Sequence, residues 1–240
     1  MVVAGNRDEF YNRKTAPAEF WSDYPNVVGG RDLEAMGTWL GMTRSGRISM
    51  LTNYRDLATL KPAAPTRGKL VSDFLTGDED PQRYLEDIAG RGSAYNGFNL
   101  IVGDVDRLWY YSNFGDGIKK LEAGSFGLSN HLLDTPWPKV ERGRAQFEKI
   151  LAGDEVAPED LFALLADEEI APDAQLPSTG LSVERERALS AMFIKTPDYG
   201  SRCSTVILVD RENNASFFER VFDLKTFDYQ TQAFRFKVQY

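Results

Sequence analysis

The stretch VVAGNRDE, residues 2–9, changes from apolar to charged at its midpoint. Unpaired charges are costly inside a protein core, so the polar half cannot continue a buried strand. We interpret the stretch as a strand that ends by placing Asn6, Arg7 and Asp8 at its rim. A solvated turn is the alternative that the spacing alone leaves open.

Three other polar residues stand next to apolar runs in the same way. Asn53 follows ISMLT, Asn130 follows FGLS, and Arg202 shortly precedes STVILV. Each therefore lies at an end of a predicted strand.

Together these positions form one candidate site, composed of Arg7, Asp8, Asn53, Asn130 and Arg202. One carboxylate, two amides and two guanidiniums suit oxyanion stabilisation and the binding of an amine or a carboxylate. The five residues supply no nucleophile. The structural alternative to a functional site is that these five residues cap strands and pair with one another.

Composition narrows the class of protein. With 240 residues, 42% of them hydrophobic and 27% charged, the chain suits a globular fold with a sizeable core. No apolar run approaches the roughly 18 residues of a transmembrane segment. The net charge of −8 argues against nucleic acid as the main partner. One cysteine and one histidine argue against a structural zinc site, so no metal is expected, and a single cysteine suits a reducing, cytoplasmic location.

Hydrophobic periodicity predicts strands, two helices, strands, two helices and final strands. The predicted strands are 38–43, 47–53, 98–103, 107–112, 118–121, 125–129, 203–210, 216–222 and 233–238. The predicted helices are 69–75, 80–90, about 137–151, 158–165 and 184–191. Residues 14–23 are predicted to be irregular.

This order predicts the fold class. The strands around Ile101 and Ile207 are too continuously apolar for a sheet with one solvated face. We therefore predict a four-layer α/β/β/α sandwich, in which two antiparallel sheets stack and a helix pair covers each outer face. Residues 1–240 are interpreted as a single domain. Since the chain opens inside an apolar strand, we expect this domain to lack its first N-terminal strand.

Two other residues invite a chemical interpretation. Arg202 could lower the thiol pKa of its neighbour Cys203, but a small buried residue at a strand start is the better explanation of this cysteine. His131 is a candidate haem ligand or general base. We favour its interpretation as a hydrogen-bonded loop residue.

Seven motifs resemble the NRDE family, also called the transport and Golgi organisation family. They are GNRDEF (5–10), GTWLG (37–41), LTNY (51–54), YNGFNL (95–100), GLSN (127–130), TPW (135–137) and YGSR (199–202). The family is in turn similar to cysteine N-terminal-nucleophile hydrolases of the bile-salt hydrolase and penicillin V acylase type. The resemblance implies their α/β/β/α fold, in agreement with the element order.

In those hydrolases an N-terminal cysteine attacks an amide, and its own amine acts as the base. The resemblance implies that Asp8 holds that amine, with Arg7 a looser match. It assigns an oxyanion contact to Asn53, an amine contact to Asn130, and completion of the site to Arg202. We predict that the heads of Asp8, Asn53, Asn130 and Arg202 lie within about 10 Å of a common point.

The chain departs from the family at its start. Family members begin Met-Cys and carry a strand before this motif, whereas this chain begins Met1-Val2-Val3. The resemblance therefore favours an intracellular carrier or chaperone of a hydrophobic metabolite, either haem or an acyl-CoA or other lipid. The alternative is an amide hydrolase or acyltransferase whose nucleophilic cysteine is missing from this start site.

The expected ligand contacts follow from the same resemblance. No cofactor follows from the sequence, and haem enters only as candidate cargo. The contact residues are Asn6, Arg7, Asp8, Asn53, Tyr54, Asn130, His131 and Arg202.

Overall fold

The structure is a computed structural model and describes residues 1–239. The chain divides into two compact units. The first unit comprises Met1–Arg13, Ser125–Gly127 and Asp134–Arg235. The second comprises Lys14–Gly124, Leu128–Leu133 and the chain from Phe236 onward. The interpretation of the whole chain as a single domain stays a prediction.

Eleven strands and five α-helices occur in the described part of the chain. The strands are β1 (Val2–Phe10), β2 (Thr15–Phe20), β3 (Val27–Asp32), β4 (Leu40–Thr43), β5 (Ile48–Asn53), β6 (Phe98–Gly103), β7 (Leu108–Ser112), β8 (Lys119–Leu121), β9 (Tyr199–Val209), β10 (Asn214–Phe222) and β11 (Tyr229–Lys237). The helices are α1 (Gly68–Thr76), α2 (Pro81–Arg91), α3 (Pro138–Leu151), α4 (Pro158–Leu165) and α5 (Val183–Ala188), with short 3₁₀ turns at Gly92–Ala94 and Asp173–Gln175.

A four-stranded sheet in the order β1-β9-β10-β11 belongs to the first unit. Alternate residues of its central strands, such as Val206 and Phe218, pack against Leu161 and Leu165 of α4. Helix α3 packs beside α4 and adds Phe147 to the same cluster. The period of two along each strand places these apolar side chains on one face, and burial of each large one contributes about 1.5–3 kcal/mol.

A seven-stranded sheet, in which β2 to β8 follow one another in chain order, belongs to the second unit. Helix α1 packs on β4 and β5, and α2 packs on β6 and β7. Helix α2 begins where predicted, because Asp80 accepts hydrogen bonds from the backbone amides of Gln82 and Arg83 and proline occupies the first helical position.

The predicted fold class is confirmed. The chain forms two antiparallel sheets, and each sheet carries one helix pair, α1 and α2 on the larger and α3 and α4 on the smaller. The four long helices lie close to their predicted positions. The shorter helix α5 overlaps its predicted range, 184–191.

Two of the predictions for loops and short strands were wrong in whole or in part. Within the stretch 14–23, which was predicted to be irregular, Thr15–Phe20 forms β2 and pairs antiparallel with β3. The register of β2 shifts between Ala16 and Glu19, around Pro17. Proline has no backbone N–H to donate to a neighbouring strand, and a strand at the edge of a sheet tolerates this loss.

Residues 125–129 form no strand in the described structure. Instead the Gly127 amide donates to Asp134 Oδ1 (2.8 Å), and the Asp134 amide donates to the Gly127 carbonyl (2.8 Å). These two hydrogen bonds close a local turn, so the backbone of this segment does not pair with a neighbouring strand.

The longest helix among residues 1–239 is α3, with 14 residues. No helix in this part of the chain has the length and apolar content needed to cross a bilayer.

Candidate functional site

The polar half of the opening stretch stays inside β1, which continues to Phe10. The prediction that the strand ends in this polar stretch, with Asn6, Arg7 and Asp8 at its rim, was therefore wrong. The strand continues because β9 offers polar partners to the charged residues. Arg7 lies opposite Cys203 and Asp8 lies opposite Ser201, with Arg202 as the additional residue of a β-bulge between the two pairs. Bulges of this kind commonly re-aim side chains next to functional sites.

Asp8 is held by strand β9. Ser201 Oγ donates to Asp8 Oδ1 (2.6 Å), and the Ile194 amide donates to Ser201 Oγ (3.0 Å). The hydroxyl of Tyr199 donates to the Asp8 carbonyl (3.3 Å). A carboxylate fixed in this way is oriented by the protein before any ligand arrives.

Asn6 joins three separate segments of the first unit. Its Nδ2 donates to the carbonyls of Leu165 (2.8 Å) and Met192 (2.9 Å). Its Oδ1 accepts from Ser204 Oγ (2.6 Å). These contacts use both ends of the amide, so Asn6 holds the end of α4 and the 192 region against β9.

Three arginines gather around Glu9. Glu9 Oε2 lies 3.9 Å from Arg7 Nη2 and 3.7 Å from Arg13 Nε. Arg202 Nη1 donates to the carbonyls of Phe10 (2.9 Å) and Arg13 (2.7 Å). Burial, and then the positive charge of Arg7, lower the pKa of Arg202. Since a guanidinium stays charged in proteins, positive charge is concentrated here in a partly buried place.

Cys203 is buried, as its interpretation from the sequence requires, although it lies within β9 rather than at its start. Burial, and then the negative charge of Glu219, raise the pKa of the thiol well above its ordinary value. Because the thiolate is the reactive form, this cysteine is not an activated nucleophile.

The loop Leu128–Leu133, called the 128–133 loop below, carries two of the predicted site residues in the second unit. Thr52 Oγ1 donates to the Ser129 carbonyl (2.7 Å). Asn99 Nδ2 donates to the His131 carbonyl (2.9 Å). Side chains from β5 and β6 therefore fix the loop where β5 ends.

Asn130 uses both ends of its amide on neighbouring residues. Its Nδ2 donates to the Asn53 carbonyl (3.1 Å), and its Oδ1 accepts from Arg55 Nη2 (3.3 Å). The Arg55 amide also donates to the Asn130 carbonyl (2.7 Å). Asn53, at the end of β5, is exposed. An amine ligand at Asn130 would therefore compete with existing hydrogen bonds.

Tyr54 and His131 form an aromatic pair beside these amides. Tyr54 OH lies 2.9 Å from His131 Nε2, and the Tyr54 ring stacks on Phe114 with a centroid separation of 4.4 Å. Burial raises the pKa of Tyr54 and lowers that of His131, so both are favoured in their neutral forms. The favoured interpretation of His131, as a hydrogen-bonded loop residue, is confirmed by this contact.

His131 predicts a pH dependence of stability. Because burial lowers its pKa in the folded chain from the ordinary 6.5, the unfolded chain binds the proton more tightly. The resulting stabilisation is fully present above about pH 6.5 and decreases as the pH falls toward the lowered value. The urea concentration at the unfolding midpoint should therefore decrease as the pH is lowered from about 7 to about 5.5. The substitution His131→Gln should make this decrease smaller. An unchanged slope in the variant would contradict the assignment, since the sequence has only this histidine.

Sequence reasoning missed several residues that hold the predicted ones in place. They are Ser201 beside Asp8, Ser204 beside Asn6, Arg55 beside Asn130, and the buried Asn99. Ser201 and Asn99 lie inside two of the motifs that resemble the family, YGSR and YNGFNL. Their position in these motifs is the signal that could have identified them. Among residues 1–239, no group of His, Cys, Asp and Glu side chains is arranged to hold a metal ion.

The predicted site residues divide between the units. Asn6, Arg7, Asp8 and Arg202 lie together on β1 and β9, and the other four, Asn53, Tyr54, Asn130 and His131, lie together at the end of β5 and in the 128–133 loop. The prediction that Asp8, Asn53, Asn130 and Arg202 share a common point stays a prediction.

The structural comparison extends over most of the chain. A mutant of the conjugated bile acid hydrolase from Clostridium perfringens aligns with 99% of this chain and 88% of its own, with a TM-score of 0.44 and 6% sequence identity.

Comparison of sequences extends over the whole chain. The family model described as Transport and Golgi organisation 2 matches residues 1–224. A mouse protein named Transport and Golgi organization 2 homolog is 37% identical over 100% of this chain and 93% of its own length. The human homolog is 36% identical with the same coverage, and a Drosophila melanogaster relative is 31% identical over 91% of this chain and 85% of its own. The resemblance noted in the motifs is confirmed, and this chain belongs to the Transport and Golgi organisation 2 family.

Proposed function

We propose that this chain is a carrier of a hydrophobic metabolite that bears an anionic head group, with haem and long-chain acyl-CoA as the two candidate ligands. The observation that carries the proposal is the partly buried group of Arg7, Arg13 and Arg202 in the first unit. Guanidinium groups bind carboxylates and phosphates with two parallel hydrogen bonds. Haem propionates and the phosphates of CoA both provide such groups.

An exposed aromatic residue is hydrogen-bonded through its backbone to one of these arginines. Phe10 is 46% exposed, and its ring packs edge to face on Tyr199 with a centroid separation of 5.2 Å. The carbonyl of Phe10 accepts a hydrogen bond from Arg202. An exposed aromatic residue whose backbone carbonyl contacts a guanidinium suits a ligand that combines an apolar body with an anionic head.

The remaining predicted contacts enter the proposal with distinct roles. Asp8, oriented by Ser201, would accept a hydrogen bond from a neutral donor of the ligand, such as an amide N–H of CoA, because the anionic head group has no hydrogen to donate. Asn6, Asn53, Tyr54 and Asn130 stay proposed ligand contacts.

Axial ligation of haem has little support from the two residues that the sequence offered for it. His131 Nε2 is engaged by Tyr54 OH, and the Cys203 thiol is buried and protonated. Our proposal is therefore that haem, if it is the ligand, is held by its propionates and its apolar face.

The substitution Arg202→Ala tests the proposal. We expect it to raise the dissociation constants of haem and of palmitoyl-CoA by about tenfold or more, the effect of losing one charge-assisted contact. Haem binding is followed by the Soret absorbance, and acyl-CoA binding by displacement of a fluorescent acyl-CoA. Arg107→Ala, which removes an exposed arginine of the second unit that pairs with Asp104, is the matched control and should change neither constant.

A second ligand separates charge from hydrophobicity. Haem dimethyl ester lacks the propionate charges, so we expect it to bind more weakly than haem and to be insensitive to Arg202→Ala. Equal binding of both porphyrins by both proteins would argue against the arginine site. Turnover of an acyl-amide by this chain, lost in Asp8→Ala, would support the alternative amide hydrolase.

The proposed location is the cytoplasm. Cys203 is an unpaired, buried thiol, which suits a reducing compartment.

A further inference from the structure

The segment between β5 and α1 exposes a run of apolar residues. Residues 57–65 read LATLKPAAP, in which only Thr59 and Lys61 are polar, and all except Ala64 are exposed. Leu57 is 42% exposed and Leu60 is 56% exposed. We call residues 57–65 the apolar loop. Two large leucines held in water within such a run indicate a surface that meets an apolar partner.

The apolar loop is anchored at its base by hydrogen bonds. Asp56 accepts from the Ala58 amide (2.9 Å) and from Thr59 Oγ1 (3.0 Å), which closes a turn between the two leucines. The Lys61 amide donates to Asn96 Oδ1 (2.7 Å), and Asn96 Nδ2 donates to the Lys61 carbonyl (3.1 Å). A preformed tip loses little conformational entropy when it docks, which favours insertion of the leucines.

The charge around the loop identifies the kind of partner. Residues 55–69 contain four basic residues and one acidic residue, a net charge of +3, although the whole chain carries −8. The basic residues are Arg55, Lys61, Arg67 and Lys69. A basic rim around exposed leucines complements a surface that presents anionic groups over an apolar layer.

We propose that the apolar loop docks on an anionic lipid surface. Leu57 and Leu60 enter the boundary between head groups and acyl chains, and the exposed Lys61 and Lys69 contact the lipid phosphates and carboxylates. The half-buried Arg55 and Arg67 add positive charge beside them. This contact is peripheral and reversible, because two leucines and a few charges provide far less than a spanning helix. It does not depend on the arginines of the first unit.

Co-sedimentation with lipid vesicles tests this proposal on the full chain. We expect binding to phosphatidylcholine vesicles that contain about one third phosphatidylserine, and much weaker binding to phosphatidylcholine alone or when salt rises from about 0.1 to about 0.5 M. Leu57→Ser combined with Leu60→Ser should reduce the partition coefficient about tenfold or more. The matched control is Leu33→Ser combined with Met36→Asn, which removes two other exposed apolar side chains (48% and 49% exposed) and should not affect binding.

A fluorescent probe reports the depth of the loop directly. Ala58→Cys places an exposed thiol at the tip, and labelling there is selective because Cys203 is buried. The emission of an environment-sensitive dye should shift to the blue with anionic vesicles. The proposal is overturned if the wild-type chain fails to bind these vesicles, if the double leucine variant binds as wild type, or if bound protein shows no shift. A shift that a protein partner produces and vesicles do not would assign the loop to protein docking instead.

Discussion

Replacement of Asn99 with leucine should lower the free energy of unfolding by about 2–4 kcal/mol, although it makes the core more apolar. Asn99 is fully buried. Its Nδ2 donates to Thr52 Oγ1 (3.0 Å) and to the His131 carbonyl (2.9 Å), and its Oδ1 accepts from Tyr110 OH (2.8 Å). Leucine would leave these groups without that partner inside the protein, and the cost of each exceeds the gain from one apolar side chain. Urea unfolding of the wild type and the variant measures the difference.

Tyr110→Phe is the matched test of this network, since it removes the tyrosine hydroxyl and leaves both donor contacts of Asn99. We expect a smaller loss, about 1 kcal/mol, and a double-mutant cycle that is not additive. Because the Leu133 amide donates to Tyr110 OH (3.2 Å), both variants should also speed hydrogen exchange in the 128–133 loop. Wild-type exchange in this loop together with unchanged stability would show that Asn99 does not hold it.

The helices were predictable because their signals are local. Asp80 followed by Pro81 sets the start of α2, and the buried stripe of Tyr84, Leu85 and Ile88 follows at helical spacing. A cap and a stripe depend only on residues within a few positions of each other. The fold class followed from the order of such elements.

Strands β2 and β3 were not predictable on the same basis. Pro17 interrupts one, and Gly29 and Gly30 interrupt the other, so both segments have low strand propensity. The reason for the glycines is tertiary. A Cβ at Gly29 would come within 2.8 Å of the Leu40 carbonyl oxygen, and one at Gly30 within 2.3 Å of the Trp39 ring.

In the candidate site too, features that depend on neighbouring residues were predictable, and contacts between residues distant in sequence were not. The sequence indicated polar residues at strand ends, but it did not indicate that Ser201 binds Asp8, a residue 193 positions away. Such contacts depend on strand register, and the bulge at Arg202 changes that register by one residue. Asn99 was missed for a related reason, because its place in the predicted strand 98–103 did not indicate which distant groups its side chain would contact.

Asn6→Ala is expected to cost about 2–3 kcal/mol of stability, because the amide of Asn6 serves three partners in the first unit. Its loss leaves the carbonyls of Leu165 and Met192 without their shared donor, and Ser204 Oγ without its acceptor. Asn6→Asp keeps the shape and the acceptor from Ser204, but it directs a carboxylate oxygen at two carbonyl oxygens. We therefore expect it to be at least as destabilising as alanine. Asn12→Ala, at an exposed position of the same segment, is the matched control and should change stability by less than about 0.5 kcal/mol. Chemical denaturation of the four proteins measures these differences, and equal stability of Asn6→Ala and Asn12→Ala would show that Asn6 does not join α4 and the 192 region to β9.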